Sequence, residues 1–333
     1  MVSVVGLSMG LSPASAQKRK DEIVKPLAGP RATSLHVARL YVSADTSAQT
    51  VDRVQVGREL VIAEKSGTWL RVYANTDTAE AHDDRDTPWV GGEGDAPPPV
   101  SGWMEARGVV IENTPNGDQI IMGEAANQES LASDPRGPAN AARTARFLYR
   151  RVVEMFPNSP LAPEAAWRSA DIQWQIQKAE ASTRPSAKEQ APYMRDTMDE
   201  DAMKRVIKYW PHTRQADLAA FDLLDNKLCG DWQGQEKCPE KETEVYEKYA
   251  AEHPDGPKTP QALYQAVYRQ AAMVDMFKAD NQDKKAEGAK AHAHDLASRL
   301  RDKFPQSDYT ARAAALVFKL DQGIAVYGID RQR

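Results

Sequence analysis

Four proline-centred stretches constrain this chain more than any other feature. They read Phe156-Pro157-Asn158-Ser159, Trp210-Pro211-His212-Thr213, His253-Pro254-Asp255-Gly256 and Phe304-Pro305-Gln306-Ser307. Each places a ring before the proline and a turn-forming residue two places after it. Five residues before each proline stands Val152, Val206, Tyr249 or Leu300; eight residues after it stands alanine, as Ala165, Ala219, Ala262 and Ala313. Proline cannot continue a helical hydrogen-bond ladder, so each motif predicts the end of one helix and the start of the next. Ser159 and Ser307 offer side-chain oxygens to cap the following helix. The alanine falls inside that helix, where a methyl group lets two helices approach closely. Trp167, Phe221 and Tyr264 stand ten residues past their prolines, against Ala315 in the fourth copy. One hairpin buries too little to stand alone, so the copies predict a stacked, antiparallel helical-hairpin solenoid over residues 139–328.

The expected helices are 141–156 with 162–181, 193–209 with 215–228, 240–253 with 260–279, and 284–304 with 309–326. A Pro- and Ser-rich break lies at 182–191, and the third copy, with His253 and Gly256, is the least regular. Residues 34–111 read instead as β. Apolar residues alternate over 36–42, and the runs 58–63 and 68–73 flank a Ser66-Gly67 turn, which is a hairpin signal. Two further short strands are expected at 102–105 and 108–111. Between them, 75–100 is an acidic insertion with Asp77, Glu80, Asp83, Asp84, Asp86, Glu93 and Asp95, together with Gly91-Gly92 and Pro97-Pro98-Pro99. It reads as a solvated loop; the spacing of an EF-hand calcium site is absent. Residues 17–33 read as a flexible leader and 112–138 as a linker. The fold class expected is multidomain, a small all-β unit followed by an all-α hairpin array.

The order Gly57, then Gly67-Thr68-Trp69-Leu70-Arg71-Val72, then Gly102-Trp103 resembles the bacterial SH3 family, over roughly 75 residues. The resemblance implies a small β-barrel that often binds cell-wall peptides, with Tyr41, Trp69, Tyr73 and Trp103 as ligand-binding candidates. Trp69 and Trp103 have two readings: they fill the barrel and its rim, which is the favoured one, or one face stays open to stack on a ligand. The phenylalanine-proline-x-serine turn followed by Ala162, Ala165 and Ala166 resembles the tetratricopeptide-repeat family, and within it the branch found in outer-membrane assembly lipoproteins and the Tol–Pal coordinator protein. That resemblance covers about 190 residues and implies a surface for a protein or peptide. The prolines are 54, 43 and 51 residues apart, so the copies carry insertions. Trp167, Trp174, Phe221, Tyr264 and Tyr268 are expected in the packing between repeats rather than in a groove.

A net charge of −5 over 333 residues, with Lys18-Arg19-Lys20 the one basic block, argues against nucleic acid as a partner. Residues 1–16 are small and apolar and end in Ala14-Ser15-Ala16, which suits signal cleavage before Gln17, although no lysine or arginine precedes the apolar stretch. A periplasmic or secreted protein is therefore expected. No cysteine follows that stretch, which excludes a lipid anchor there, and no run elsewhere is long enough to span a membrane. Cys229 and Cys238 form a disulfide in an exported chain and remain two thiols in a cytosolic one; no second pair stands at zinc-ligand spacing. Gly6-Leu7-Ser8-Met9-Gly10 matches a hydrolase elbow but lacks the strand and helix that give the motif its chemistry. Gly91-Gly92-Glu93-Gly94 lacks the lysine of a phosphate loop. His292 and His294, two apart on a helix, point away from each other. Asp199-Glu200-Asp201 reads as a solvated charge run. No catalytic set, metal site or cofactor is expected. The function expected is that of an exported, non-enzymatic interaction protein: the repeats hold a protein or peptide and the barrel adds a second contact. The alternatives are a peptidoglycan-binding module with a helical spacer, or a regulator of a wall hydrolase.

Overall fold

A computed structural model describes residues 28–78, 100–183, 198–229, 232 and 234–327. The signal-like segment, most of the leader, residues 79–99 of the acidic insertion and most of the Pro- and Ser-rich break lie outside the described residues. Among the described residues, seven strands form one antiparallel sheet and nine α-helices follow it. The strands are β1 (Arg31–Ser34), β2 (Ala38–Tyr41), β3 (Thr50–Val54), β4 (Glu59–Ser66), β5 (Trp69–Ala74), β6 (Val100–Glu105) and β7 (Val109–Ile111). Their order across the sheet is β3-β2-β6-β5-β4-β1-β7.

Period-two alternation decides which side chains enter the sheet's core. Leu40, Leu60, Leu70, Val72 and Met104 point inward and are buried. The β4–β5 hairpin turns at Gly67-Thr68, one residue later than the sequence suggested, and Gly67 takes φ +58° with open space around it. β1 corrects the leader reading. Ala32 and Thr33 are fully buried, Ala32 opposite Leu60 and Thr33 opposite Val110. A four-residue strand is too short to display a period, so it passed for coil. β3 was missed because its centre, Asp52-Arg53, is charged; it pairs along one edge of the sheet, where polar side chains carry no desolvation cost.

The helices are α1 (Gly117–Ala132), α2 (Ala141–Met155), α3 (Ala162–Thr183), α4 (Asp201–Tyr209), α5 (Arg214–Asp222), α6 (Lys237–Glu252), α7 (Thr259–Ala279), α8 (Asp283–Lys303) and α9 (Asp308–Asp321). All four proline turns end their helices with one geometry. Phe156, Trp210, His253 and Phe304 take φ between −124° and −130° and ψ between 56° and 60°. Their backbone N–H groups donate to the carbonyls of Val152, Val206, Tyr249 and Leu300 at 2.8–3.1 Å. The residues five before each proline are thus the last hydrogen-bonded carbonyls of their helices, and their side chains are buried. The alanines eight after the prolines are removed from water: Ala165, Ala219 and Ala262 are 0% exposed and Ala313 is 1%. Ser307 and Thr213 cap α9 and α5 by accepting from the N–H groups of Tyr309 and Ala216. The irregular third copy keeps the same turn. At Gly256, where the other copies carry Ser159, Thr213 and Ser307, a β-carbon would stand 3.2 Å from both the Cβ and the carbonyl of His253.

Residues 112–138 are not a linker. They hold α1, whose Ile121 and Ala125 are buried against α2 and continuous with Val110 of β7. The sequence hid this helix because Ile120-Ile121-Met122 are consecutive rather than spaced three or four apart, and Pro115, Gly117 and Gly123 read as coil. α2 consequently packs on both α1 and α3, as α7 packs on α6, α8 and α9. Of the expected helix 193–209, residues 193–197 lie outside the described residues, 198–200 are not helical, and α4 begins at Asp201. The expected 215–228 ends as α5 at Asp222 with a 3₁₀ turn over Leu223–Lys227, and α9 stops at Asp321 rather than 326.

The sheet is docked on the helices. Gly57, at φ +79°, leaves room for α2: a β-carbon there would stand 2.9 Å from the Cβ of Phe147. Gly117 similarly receives the ring of Phe156. Beside them lies a buried ion cluster. Asp77, expected on a solvated loop, is 3% exposed. It faces Arg58 at 3.2 Å and Arg151 at 3.3 Å. Arg151 also meets Glu154 at 2.7 Å and Glu59 at 3.8 Å, and Thr76 donates to Glu59 at 2.5 Å. The Arg58–Asp77 approach lacks hydrogen-bond alignment, so charge holds it. Burial pulls the Arg58 guanidinium below its ordinary pKa, with Asp77 working against that shift. The guanidinium also lies 4.8 Å from the Phe147 ring. A carboxylate set into this arginine pair joins the two halves of the molecule.

Candidate binding surfaces

The four predicted ligand residues all lie on the outer face of the sheet. Because Leu70, Val72 and Met104 turn inward, their neighbours Trp69, Arg71, Tyr73 and Trp103 must turn outward. Trp69 and Trp103 thus stand outside the sheet's core cluster. All four rings are half-buried. Tyr41 and Trp69 meet edge to face with centroids 5.8 Å apart. Trp103 sits opposite Tyr41 on one side and opposite Arg71 on the other. That register puts Trp69 and Tyr73 on the two diagonals from Trp103, the separation at which large rings still touch. Tyr73 is four residues from Trp69 along β5, about 13 Å at strand rise, so it stands at the far end of the patch. Arg39 and Arg71 share the face, with Glu64 opposite Arg71 and Glu105 opposite Trp69. Sequence reasoning named the rings but not these charges, which alternation alone would have placed beside them. The surface can stack on a planar or ring-bearing ligand and pair with its charge.

A second polar stripe crosses α1, α2, α3 and α5. Arg168 donates to Glu129 at 2.9 Å and to Glu164 at 2.7 Å, and Tyr149 donates to Glu129 at 2.6 Å. Gln215 reaches Glu164 at 2.8 Å. Burial, then the bond to Glu129, raises the Tyr149 pKa. Burial draws Arg168 down, but its bonds to Glu164 and the charge of Glu129 outweigh this and raise it. Arg168 lies about 6 Å from the rings of both Tyr149 and Trp167. Glu129, Tyr149, Glu164 and Arg168 line an open cleft of about 380 Å³. Further along, Trp167 donates to Asp222 at 3.3 Å, and Trp174 and Lys178 donate to Asp225 at 3.3 and 2.7 Å. Burial, then the neighbouring charge of Asp171, pushes the Asp222 carboxyl up to about 7. Glu164 and Arg168, four apart on α3, were visible as a helical ion pair; their partners on α1 could not be, because α1 was not recognised.

The remaining rings divide as tertiary packing dictates. Trp174 is core, Phe221 packs on Tyr249 at 5.3 Å, and Tyr264 on Tyr309 at 5.6 Å. Tyr268 contacts Trp232 instead. Cys229 and Cys238 are disulfide-bonded, their Cα atoms 5.9 Å apart. His292 and His294 diverge, to Glu247 at 3.2 Å and Asp321 at 3.0 Å. Glu200 is more than a solvated charge, since it accepts from Asn226 and pairs with Lys204, both at 2.9 Å. Among the described residues no three His, Cys, Asp or Glu side chains group as metal ligands, and no helix is long and apolar enough to cross a membrane. No family model matches the chain, and a search of curated proteins finds no significant match.

Proposed function

We propose that the chain is a non-catalytic interaction protein of the bacterial envelope. In this reading the sheet is an SH3-like module and the helices are tetratricopeptide-like repeats that hold a protein or peptide. The observation that carries it is the pairing of two different surfaces on one docked body: a patch of half-exposed rings on the sheet and a charged, ring-bordered stripe on the helices. Two modest sites in fixed relation gain affinity by acting together, without a reactive group in either. The bonded Cys229–Cys238 pair supports export to an oxidising compartment. Crosslinking of the full chain in envelope extract, followed by mass spectrometry, should recover a specific polypeptide, and W69A/W103A should weaken its capture. Recovery of nothing above a background protein removes the reading.

The open ring face also favours a second reading, in which the sheet binds peptidoglycan and the helices space it from the wall or regulate a wall hydrolase. Sedimentation of the full chain with purified peptidoglycan decides it. Co-sedimentation abolished by W69A/W103A supports the wall reading; a chain that stays in the supernatant excludes it.

A further inference from the structure

The loop closed by Cys229 and Cys238 does more than join α5 to α6. It carries Trp232 onto α7, and Glu242, almost fully buried, fixes it there. Glu242 accepts from the Cys229 backbone at 2.7 Å, from the Trp232 indole at 3.2 Å and from Arg269 at 2.8 Å. Trp232 tilts against Tyr268 at 5.8 Å, and the Arg269 guanidinium lies 5.5 Å from the indole. The disulfide, Glu242 and Arg269 hold this wall from the side of α6 and α7.

Something does lie on it. After α9 the chain turns at Gly323, φ +68°, and residues 324–327 run back to α7. Asp275 Oδ2 accepts two successive backbone N–H groups, from Val326 at 2.6 Å and Tyr327 at 2.9 Å. The Tyr327 ring tilts on Trp232 at 5.7 Å, and its hydroxyl accepts from the Gly234 N–H at 3.1 Å. A carboxylate reading consecutive main-chain N–H groups, beside a ring platform, is how a surface recognises an extended peptide with an aromatic side chain.

We propose that this cradle is a binding site for an extended segment of a partner polypeptide bearing an aromatic residue, and that residues 324–327 are its resident, displaceable occupant. The wall's bonds through the disulfide, Glu242 and Arg269 do not involve the tail, which leaves the indole preorganised for another occupant. The tail is held at its edge by hydrogen bonds, the ring contact of Tyr327 and the packing of Val326 on the core around α7, a set that an incoming apolar-aromatic peptide can reproduce. Occupancy by the tail lowers the apparent affinity for an outside ligand by the fraction of molecules in which the cradle is free. The inference rests on reading the helical half as a polypeptide binder.

The test uses the full chain and a labelled, end-blocked hexapeptide Gln-Gly-Ile-Ala-Val-Tyr, the sequence of residues 322–327. V326P/Y327A removes one N–H donor, the Val326 side chain on the core and the ring. Fluorescence anisotropy should show it binding the peptide about tenfold or more tighter than wild type. Adding D275N, or replacing the peptide's tyrosine by alanine, should abolish that gain. Equal binding, or none, to wild type and variant overturns the proposal, provided the circular dichroism of the variant is native. If V326P disturbs folding, Y327A alone should show the same order with a smaller ratio, and failure there is equally decisive. Self-association of wild type that V326P/Y327A abolishes would make a second copy's tail the occupant and overturn the partner assignment. A variant that takes the peptide while the full chain captures nothing from envelope extract sinks the envelope reading and leaves the cradle standing.

Discussion

Replacing Asp77 by asparagine tests the joint between sheet and helices. The substitution keeps the shape of the side chain and removes its charge. Arg151 retains Glu154 at 2.7 Å, whereas Arg58, with a side chain 7% exposed, has Asp77 as its carboxylate within 4 Å among the described residues. A guanidinium left buried without its partner costs about 3–5 kcal/mol. That is a large part of the roughly 5–15 kcal/mol that separates folded from unfolded states. With a urea slope near the upper end of the range for small proteins, about 3 kcal/mol/M, the midpoint should fall by about 1–1.7 M. Circular dichroism and tryptophan fluorescence should report the same fall, because α2 and the sheet share the cluster. R58M/D77N should recover roughly half of the loss, since the orphaned charge is then gone. A D77N midpoint within about 0.2 M of wild type, or a double variant worse than D77N, refutes the claim that charge compensation at Asp77 holds the seam.

Two further perturbations follow from the same geometry. G57A should cost about 2–4 kcal/mol in urea denaturation, from a left-handed backbone and a clash with Phe147, while G67A, left-handed but in open space, should cost about 1 kcal/mol; equal losses would remove α2 as the reason for Gly57. Asp222, folded pKa about 7 against 3.8 unfolded, binds its proton more tightly in the native state, so its contribution is full below pH 4 and lost as pH rises through 7. D222N should therefore match wild type near pH 4 and exceed it by about 2–4 kcal/mol at pH 8; a variant no more stable than wild type at pH 8 excludes this carboxylate, with Asp171, Asp225 and Lys258 around it, as the source of the slope.

The helical half was legible because its signal is local. A proline, a ring before it and an alanine eight residues on specify one turn and the start of the next helix, and they do so at Pro157, Pro211, Pro254 and Pro305. α1 carried no such punctuation. The candidate rings Tyr41, Trp69, Tyr73 and Trp103 could be named from their pattern, but not their side of the sheet. That depended on Leu70, Val72 and Met104 taking the core. Asp77 stood in a run of acidic residues and looked solvated, because the arginines it faces lie 19 residues before it and 74 after it in the chain.

Local hydrogen-bonding and steric rules, acting over about ten residues, thus determined where helices end, which alanines pack closely and that a β unit precedes the array. Tertiary structure decided the rest: the seam where Gly57 and Asp77 meet α2, the outward turn of the tryptophans, and the tail laid across Trp232. Each of these joins residues far apart in the chain through burial and charge, and no local pattern encodes which distant partner removes a given side chain from water.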